Sequence, residues 1–285
     1  MTEEHATSTP GAGLLDGTTT WLWISVGAAL LAIAGSVTSL AVRGIYAGLT
    51  PVFLPQALAQ DIVNLAVAAP ALLVLTALAL RGSLRAYLLW LGVLTFTVYN
   101  YVIYTFSIPF GPLFLPWVGV LGLCLFSLIG GVVTVDPDRV EESFTSRRAV
   151  KVVAWSLIVV AVLFCLLWLS EDVPALLAGG VPQSVRDMAL PTNPVHILDL
   201  AFFLPAVVIT GIGLLRRKPF AYTVAPAFLV FLVLTGLPIL VTPVVQTARG
   251  EIAAWGVLVP IGTLTVVIVG LLVWLMTSIR TRTDG

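Results

Sequence analysis

Apolar residues fill this chain in eight long blocks, separated by short stretches rich in glycine, proline or charge. The blocks cover 21–42, 61–80, 87–106, 113–133, 150–169, 196–215, 221–242 and 254–279. Each is close to the roughly 20 residues that a helix needs to cross a bilayer. The runs are continuous, without the alternation and shortness of barrel strands. A helix also satisfies its own backbone hydrogen bonds in lipid. The expected fold is therefore an all-α polytopic membrane helix bundle with eight transmembrane helices.

Two of the blocks repeat each other. Residues 61–87 and 196–222 align without a gap at an offset of 135, and nine of 27 positions are identical. Shared leucine and alanine carry little information in an apolar chain. The shared mid-helix proline (Pro70, Pro205), terminal arginine (Arg81, Arg216) and tyrosine six further on (Tyr87, Tyr222) carry more. A weaker echo links Pro55-Gln56 to Pro182-Gln183. Such self-similarity indicates an internal duplication. The expected organisation is a disordered tail over 1–20, a first four-helix repeat over 21–134, a linker over 135–149, a second repeat over 150–279 and a short tail over 280–285. Four spans per half is an even number, so both repeats point the same way through the membrane.

Composition agrees with the pattern. The chain of 285 residues is 59% hydrophobic and 10% charged, with mean hydropathy +1.07. Soluble domains carry about 25% charged residues. Zero formal net charge argues against a nucleic-acid partner; membrane lipids are the expected surroundings. Cys124 and Cys165 stand singly inside apolar runs and imply no disulfide framework. The N-terminal 20 residues contain no Lys or Arg, so they lack the basic start of a secretory signal.

The basic residues set the expected orientation. Eleven fall on one side of the alternating spans: Arg81, Arg85, Arg139, Arg147, Arg148, Lys151, Arg216, Arg217, Lys218, Arg280 and Arg282. Only Arg43, Arg186 and Arg249 fall on the other. The positive-inside rule then places both termini in the cytoplasm, in the plasma membrane. The first span alone, with Arg43 after it and no base before it, favours the reverse. The summed bias outweighs it.

Polar residues inside these apolar blocks are the candidate chemistry. Both repeated blocks open with a polar pair spaced three apart, Asp61 with Asn64 and His196 with Asp199. That spacing puts each pair on one helix face. The third block adds Asn100 and Tyr104, four apart. Ionisable groups in a membrane mark function by default. Asp61, Asn64, Asn100, Tyr104, His196 and Asp199 are thus expected to line one outward-facing pocket. Against this stand plain alternatives. Asp61 and Asp199 can favour a helix dipole as first-turn acids, His196 can be a solvated interfacial residue, and the tyrosines and tryptophans an aromatic belt. Asn100 can join neighbouring helices through a hydrogen bond.

Several chemistries are absent from the sequence. A single histidine in the membrane region excludes bis-histidine haem ligation, and no span has a central lysine for a Schiff base. HExxH, Walker A and GxSxG patterns are also missing. No cofactor, metal site or catalytic residue is expected. The run RGSLRAYLLWLGVLTFTVYNYVIYTF, the following FGPLFLPWVGVLGLCLFSLI, and the segments VPQSV and NPVHILDL resemble a group of uncharacterised bacterial and archaeal multi-pass membrane proteins. The resemblance covers spans two to seven. It implies a multi-pass membrane fold and carries no activity, ligand or functional residue. The preferred expectation is a non-enzymatic protein binding a small solute or cation in an outward pocket, as a transporter-like or sensor protein. The alternatives are an intramembrane enzyme using a His/Asp acid–base pair and a structural subunit. The inner halves of the second and sixth blocks hold only Thr76 and Thr210 as polar residues, which weakens transport.

Overall fold

The computed structural model describes Leu15 and residues 17–280. Most of the two expected tails, and with them Arg282, lie outside the described residues. Among the described residues, eight helices are long and apolar enough to cross a membrane: α1 Thr19–Ala41, α2 Phe53–Leu80, α3 Leu84–Ser107, α4 Phe114–Thr134, α5 Arg147–Leu177, α6 Pro194–Leu215, α7 Pro219–Ala248 and α8 Trp255–Thr277. Short helices over Pro137–Ser143 and Gln183–Met188 decorate two connections. No strand occurs among the described residues. The chain is a multi-pass membrane protein by this architecture.

Local chemistry sets the helix ends. Ser83 and Ser146 cap α3 and α5 by accepting from the Ala86 and Ala149 amides. Asn193 caps α6, and Pro194 follows at the first position, where its missing N–H costs nothing. The ends of α2 and α6 close in the same way. The Ser83 amide returns to the Leu78 carbonyl and the Lys218 amide to the Gly213 carbonyl. The turn needs a left-handed residue, filled by Gly82 in one case and by Arg217 (φ 52°) in the other.

Within α2 and α6 the helix widens into one π-turn, over Asn64–Ala68 and Asp199–Phe203. Pro70 and Pro205 follow, each after one intervening residue. A proline inside a helix removes one hydrogen bond and presses on the carbonyl four residues earlier. The wider turn relieves that pressure, and π-turns recur at functional sites.

In the first half α1 packs against α2 and α4, and α3 against α2 and α4. In the second half α5 packs on α6, α6 on α7 and α7 on α8, while α5 and α8 meet only sparsely. The halves join mainly along α3 and α7, with the start of α2 also against α7. A Cβ on Gly92 would sit 2.4 Å from the Val230 Cβ and 2.9 Å from the Ala227 carbonyl oxygen, so α3 and α7 touch backbone to backbone. Small residues permit such an approach between membrane helices. Burial follows position: 78% of the apolar stretch of α3 is buried and 6% of that of α8, so α3 is central and α8 peripheral.

One end of the bundle gathers most of the basic residues. Arg85 donates to the Ile279 carbonyl at 2.5 Å. The Thr145 and Arg280 amides pair with the carbonyls of Ser278 and Ser143, and Phe144 packs on Tyr222. These contacts bring the α2–α3 turn, the α4–α5 linker, the start of α7 and the end of α8 together. We call this the basic end. Arg43, Arg186 and Arg249 belong to connections at the opposite end.

Two boundaries differ most from the sequence expectation. The second span starts at Phe53 rather than at residue 61, and the fifth runs on to Leu177 rather than stopping at 169. In both cases polar residues, Gln56 and Gln60 in one and Glu171 and Asp172 in the other, interrupt the apolar run without ending the helix. The consequence for Asp61 is direct. It lies two turns inside its helix, so it is not a first-turn dipole partner.

Candidate functional site

Asp61 is buried and sits in a cage of hydroxyls. Oδ1 accepts from Ser36 at 3.0 Å and Tyr104 at 3.1 Å; Oδ2 accepts from Ser39 and Tyr46, both at 2.5 Å. A carboxylate offers about four acceptor sites, and all are taken. Burial, and then the adjacent Asp61 carboxylate, hold the Tyr46 phenol far above its ordinary pKa. Tyr46 therefore stays a donor to Asp61. The cage joins α1, the α1–α2 connection, α2 and α3.

His196, 135 residues further on, is held in the opposite sense. Its Nδ1 lies 2.9 and 3.1 Å from the two oxygens of Asp172, and its Nε2 lies 3.9 Å from Glu171. The ring stacks on Trp168, with centroids 4.5 Å apart. Trp168 in turn donates its indole N–H to Asp199 Oδ2 at 2.8 Å. Tyr99 faces the same carboxylate from α3.

A third polar group links α2 to α3. Asn64 Oδ1 accepts from Gln60 at 3.1 Å and from Asn100 at 3.3 Å. The Asn64 Nδ2 is buried and has no partner.

These groups surround a cavity of about 490 Å³, within the range of small-molecule sites. It lies among α2, α3, α5, α6, α7 and α8. From Gln246 near the opposite end it descends along α7 to Phe231, 15 residues or about 22 Å. Gln56, Gln60, Asn100, Tyr104, Trp168, Asp199 and Gln246 make its upper wall partly polar. Its floor is apolar, formed by Val160, Val207, Leu264 and Ile268 among others. The floor threonines are spent on their own helices, with Thr235 bonding the Phe231 carbonyl and Thr265 that of Ile261.

The structure thus divides the six residues expected to share a pocket. Asn100, Tyr104 and Asp199 line the cavity. Asp61, Asn64 and His196 do not. Each stands one residue behind the wall, bonded or stacked to a residue that lines it: Asp61 to Tyr104, Asn64 to Asn100 and His196 to Trp168. The division follows from helix geometry, because residues three apart share a broad face but not one direction. Ser36, Ser39, Tyr46, Trp168, Glu171 and Asp172 were not singled out from sequence. One signal was available for two of them. The 25-residue step from Ser36 to Asp61 is also the step from Glu171 to His196.

No group of three or more His, Cys, Asp or Glu among the described residues is placed to hold a metal ion. Cys124 and Cys165 are free thiols. Comparison of the chain with family models, curated proteins and solved structures returns no match.

Proposed function

We propose that this multi-pass membrane protein binds a small solute in the cavity, from the outer side of the plasma membrane, with both termini in the cytoplasm. The observation that carries the reading is the one-sided polarity of the cavity. Its polar wall faces the end opposite the basic residues, and its floor is apolar. A binding or sensing role suits a site that closes at mid-depth; a through-path for an ion would need polar groups continuing to the basic end. The excess of Arg and Lys at that end supports a cytoplasmic assignment.

We read the frame as two four-helix repeats related by an axis along the membrane normal. Paired π-turns 135 residues apart support this, as do matched helix neighbours in the two halves. So does the close approach of Gly92 to Ala227, which is its own counterpart at that offset. An enzymatic reading would need His196 free to act on a substrate, yet both its ring nitrogens face carboxylates away from the cavity wall.

Orientation is tested by single cysteines in a Cys124→Ser, Cys165→Ser background. In intact cells an impermeant thiol reagent should label Arg43→Cys and leave Thr283→Cys unlabelled. The opposite pattern would remove the outward pocket. Occupancy is tested by filling the cavity. Thr235→Phe should abolish ligand binding without unfolding the protein.

A further inference from the structure

We infer that the ligand is a hydrophobic cation: an organic amine or quaternary ammonium whose charge rests beside Asp199 and whose apolar body fills the floor. The inference depends on the cavity being the binding site.

Among the described residues, no Lys, Arg or His lines the cavity, and Asp199 is the one acid that does. Asp199 is buried, with 9% of the residue exposed. An isolated buried carboxylate costs several kcal/mol unless a partner offsets it. Trp168 supplies one neutral donor to Oδ2, and Tyr99 lies near the group. One donor leaves most of the acceptor capacity of a carboxylate open. His196 is the nearest basic side chain, but its ring nitrogens are turned to Asp172 and Glu171. Even with His196 protonated and Arg186 near Glu171, the three carboxylates leave an excess of negative charge.

The neighbouring wall is aromatic. Tyr99, Phe203 and Phe231 form a triangle with centroids 4.8, 5.1 and 4.5 Å apart. Faces of this kind attract cations, and more strongly where water is excluded. An anionic head would find no positive partner here, and a small hydrated ion would leave the apolar floor empty. A cation with an apolar body satisfies both ends of the cavity.

The test uses the full chain in nanodiscs of zwitterionic lipid, with empty nanodiscs as the partition control. Three probes share one apolar body: phenylbutyltrimethylammonium, phenylbutanol and phenylbutyrate. Titration calorimetry should show the cation binding about tenfold more tightly than the alcohol, with no measurable binding of the acid. Asp199→Asn should remove the preference for the cation over the alcohol. Equal binding of cation and alcohol to the wild type, or an unaltered preference in Asp199→Asn, overturns the cationic ligand and keeps the cavity as a binding site. Failure of all three probes to bind folded wild-type protein overturns both. Should Asp199→Asn not fold, the three-probe comparison on the wild type decides alone.

Discussion

Residue 61 in the first half and residue 196 in the second stand 135 positions apart, and each is held by the residue 25 positions before it. The chemistry is reversed between them. In the first half an acid is buried among four hydroxyl donors; in the second a histidine is buried between two acids. The first cage is neutral around its carboxylate and complete. The second sets a buried imidazole between acids that are partly exposed, Glu171 at 32% and Asp172 at 21% of their side chains. Residue 61 is therefore a sealed anchor among hydroxyls, and residue 196 a buried ring whose partners reach water beside the cavity.

The packing differs in the same direction. In the first half α4 approaches its neighbours through glycines. A Cβ on Gly131 would lie 2.7 Å from the Trp90 ring, and one on Gly119 would lie 2.8 Å from Leu31. Trp90 is fully buried and cannot swing aside, because its indole donates to Ser25, which also bonds Thr76. In the second half the glycines of α8 make no such contact. Gly262 would come within 3.9 Å of Leu240, on α7, and Gly270 meets open space. The helices α5 and α8 stay apart, and the cavity occupies the interval between them. The second half also packs closely where Gly211 faces Ile158 and Gly236 faces Thr265, but it leaves a ligand-sized space where α5 and α8 stay apart.

The comparison breaks most readily at those glycines. Gly131→Val should destabilise the protein by about 3 kcal/mol, because the added methyls meet a tryptophan with nowhere to go. Gly270→Val should change stability by less than about 0.5 kcal/mol. Thermal unfolding in nanodiscs measures both, and similar values for the pair would show that the halves are equally packed.

Adding volume tests the space itself. Val120→Phe places a ring in the filled interior of the first half and should cost about 2 kcal/mol. Leu264→Phe places the same ring against the cavity and should cost less than about 1 kcal/mol, since the space is already there. It should also weaken binding of the probe ligand. A Leu264→Phe protein as destabilised as Val120→Phe would mean that the cavity collapses in the membrane.

The polar cages should separate by a smaller margin. Asp61→Asn turns an amide donor toward hydroxyls that are donors already, which should cost about 2 kcal/mol. His196→Gln leaves Glu171 and Asp172 with access to water and should cost about 1 kcal/mol or less. Equal losses would show that both cages are dry.

The smallest effect concerns Asp199. Asp199→Asn keeps an oxygen to accept from Trp168 and should alter stability by less than about 1 kcal/mol while changing ligand preference. A loss as large as that of Asp61→Asn would make Asp199 a structural anchor.

Hydrophobic runs of membrane length and their glycine, proline and charged breaks determined the eight helices, because the requirement to satisfy every backbone group in lipid leaves helix as the local solution. Pro70 and Pro205 each follow a π-turn, but Pro226, Pro238 and Pro243 sit in α7 without one, so a proline by itself did not locate these turns. The length of α2 and α5 was less legible. Gln56, Gln60, Glu171 and Asp172 look like loop residues by polarity alone, yet they remain helical because Asn64, the Ser184 amide and His196 give three of them partners. Only the tertiary structure decided which polar side chains meet. Asp61 finds Ser36, Ser39, Tyr46 and Tyr104 across distances of 15 to 43 residues in the chain. The separation of α5 from α8, and hence the cavity, was also decided there. A gap between helices depends on how side chains on several elements fill space together, and no single stretch of sequence encodes it.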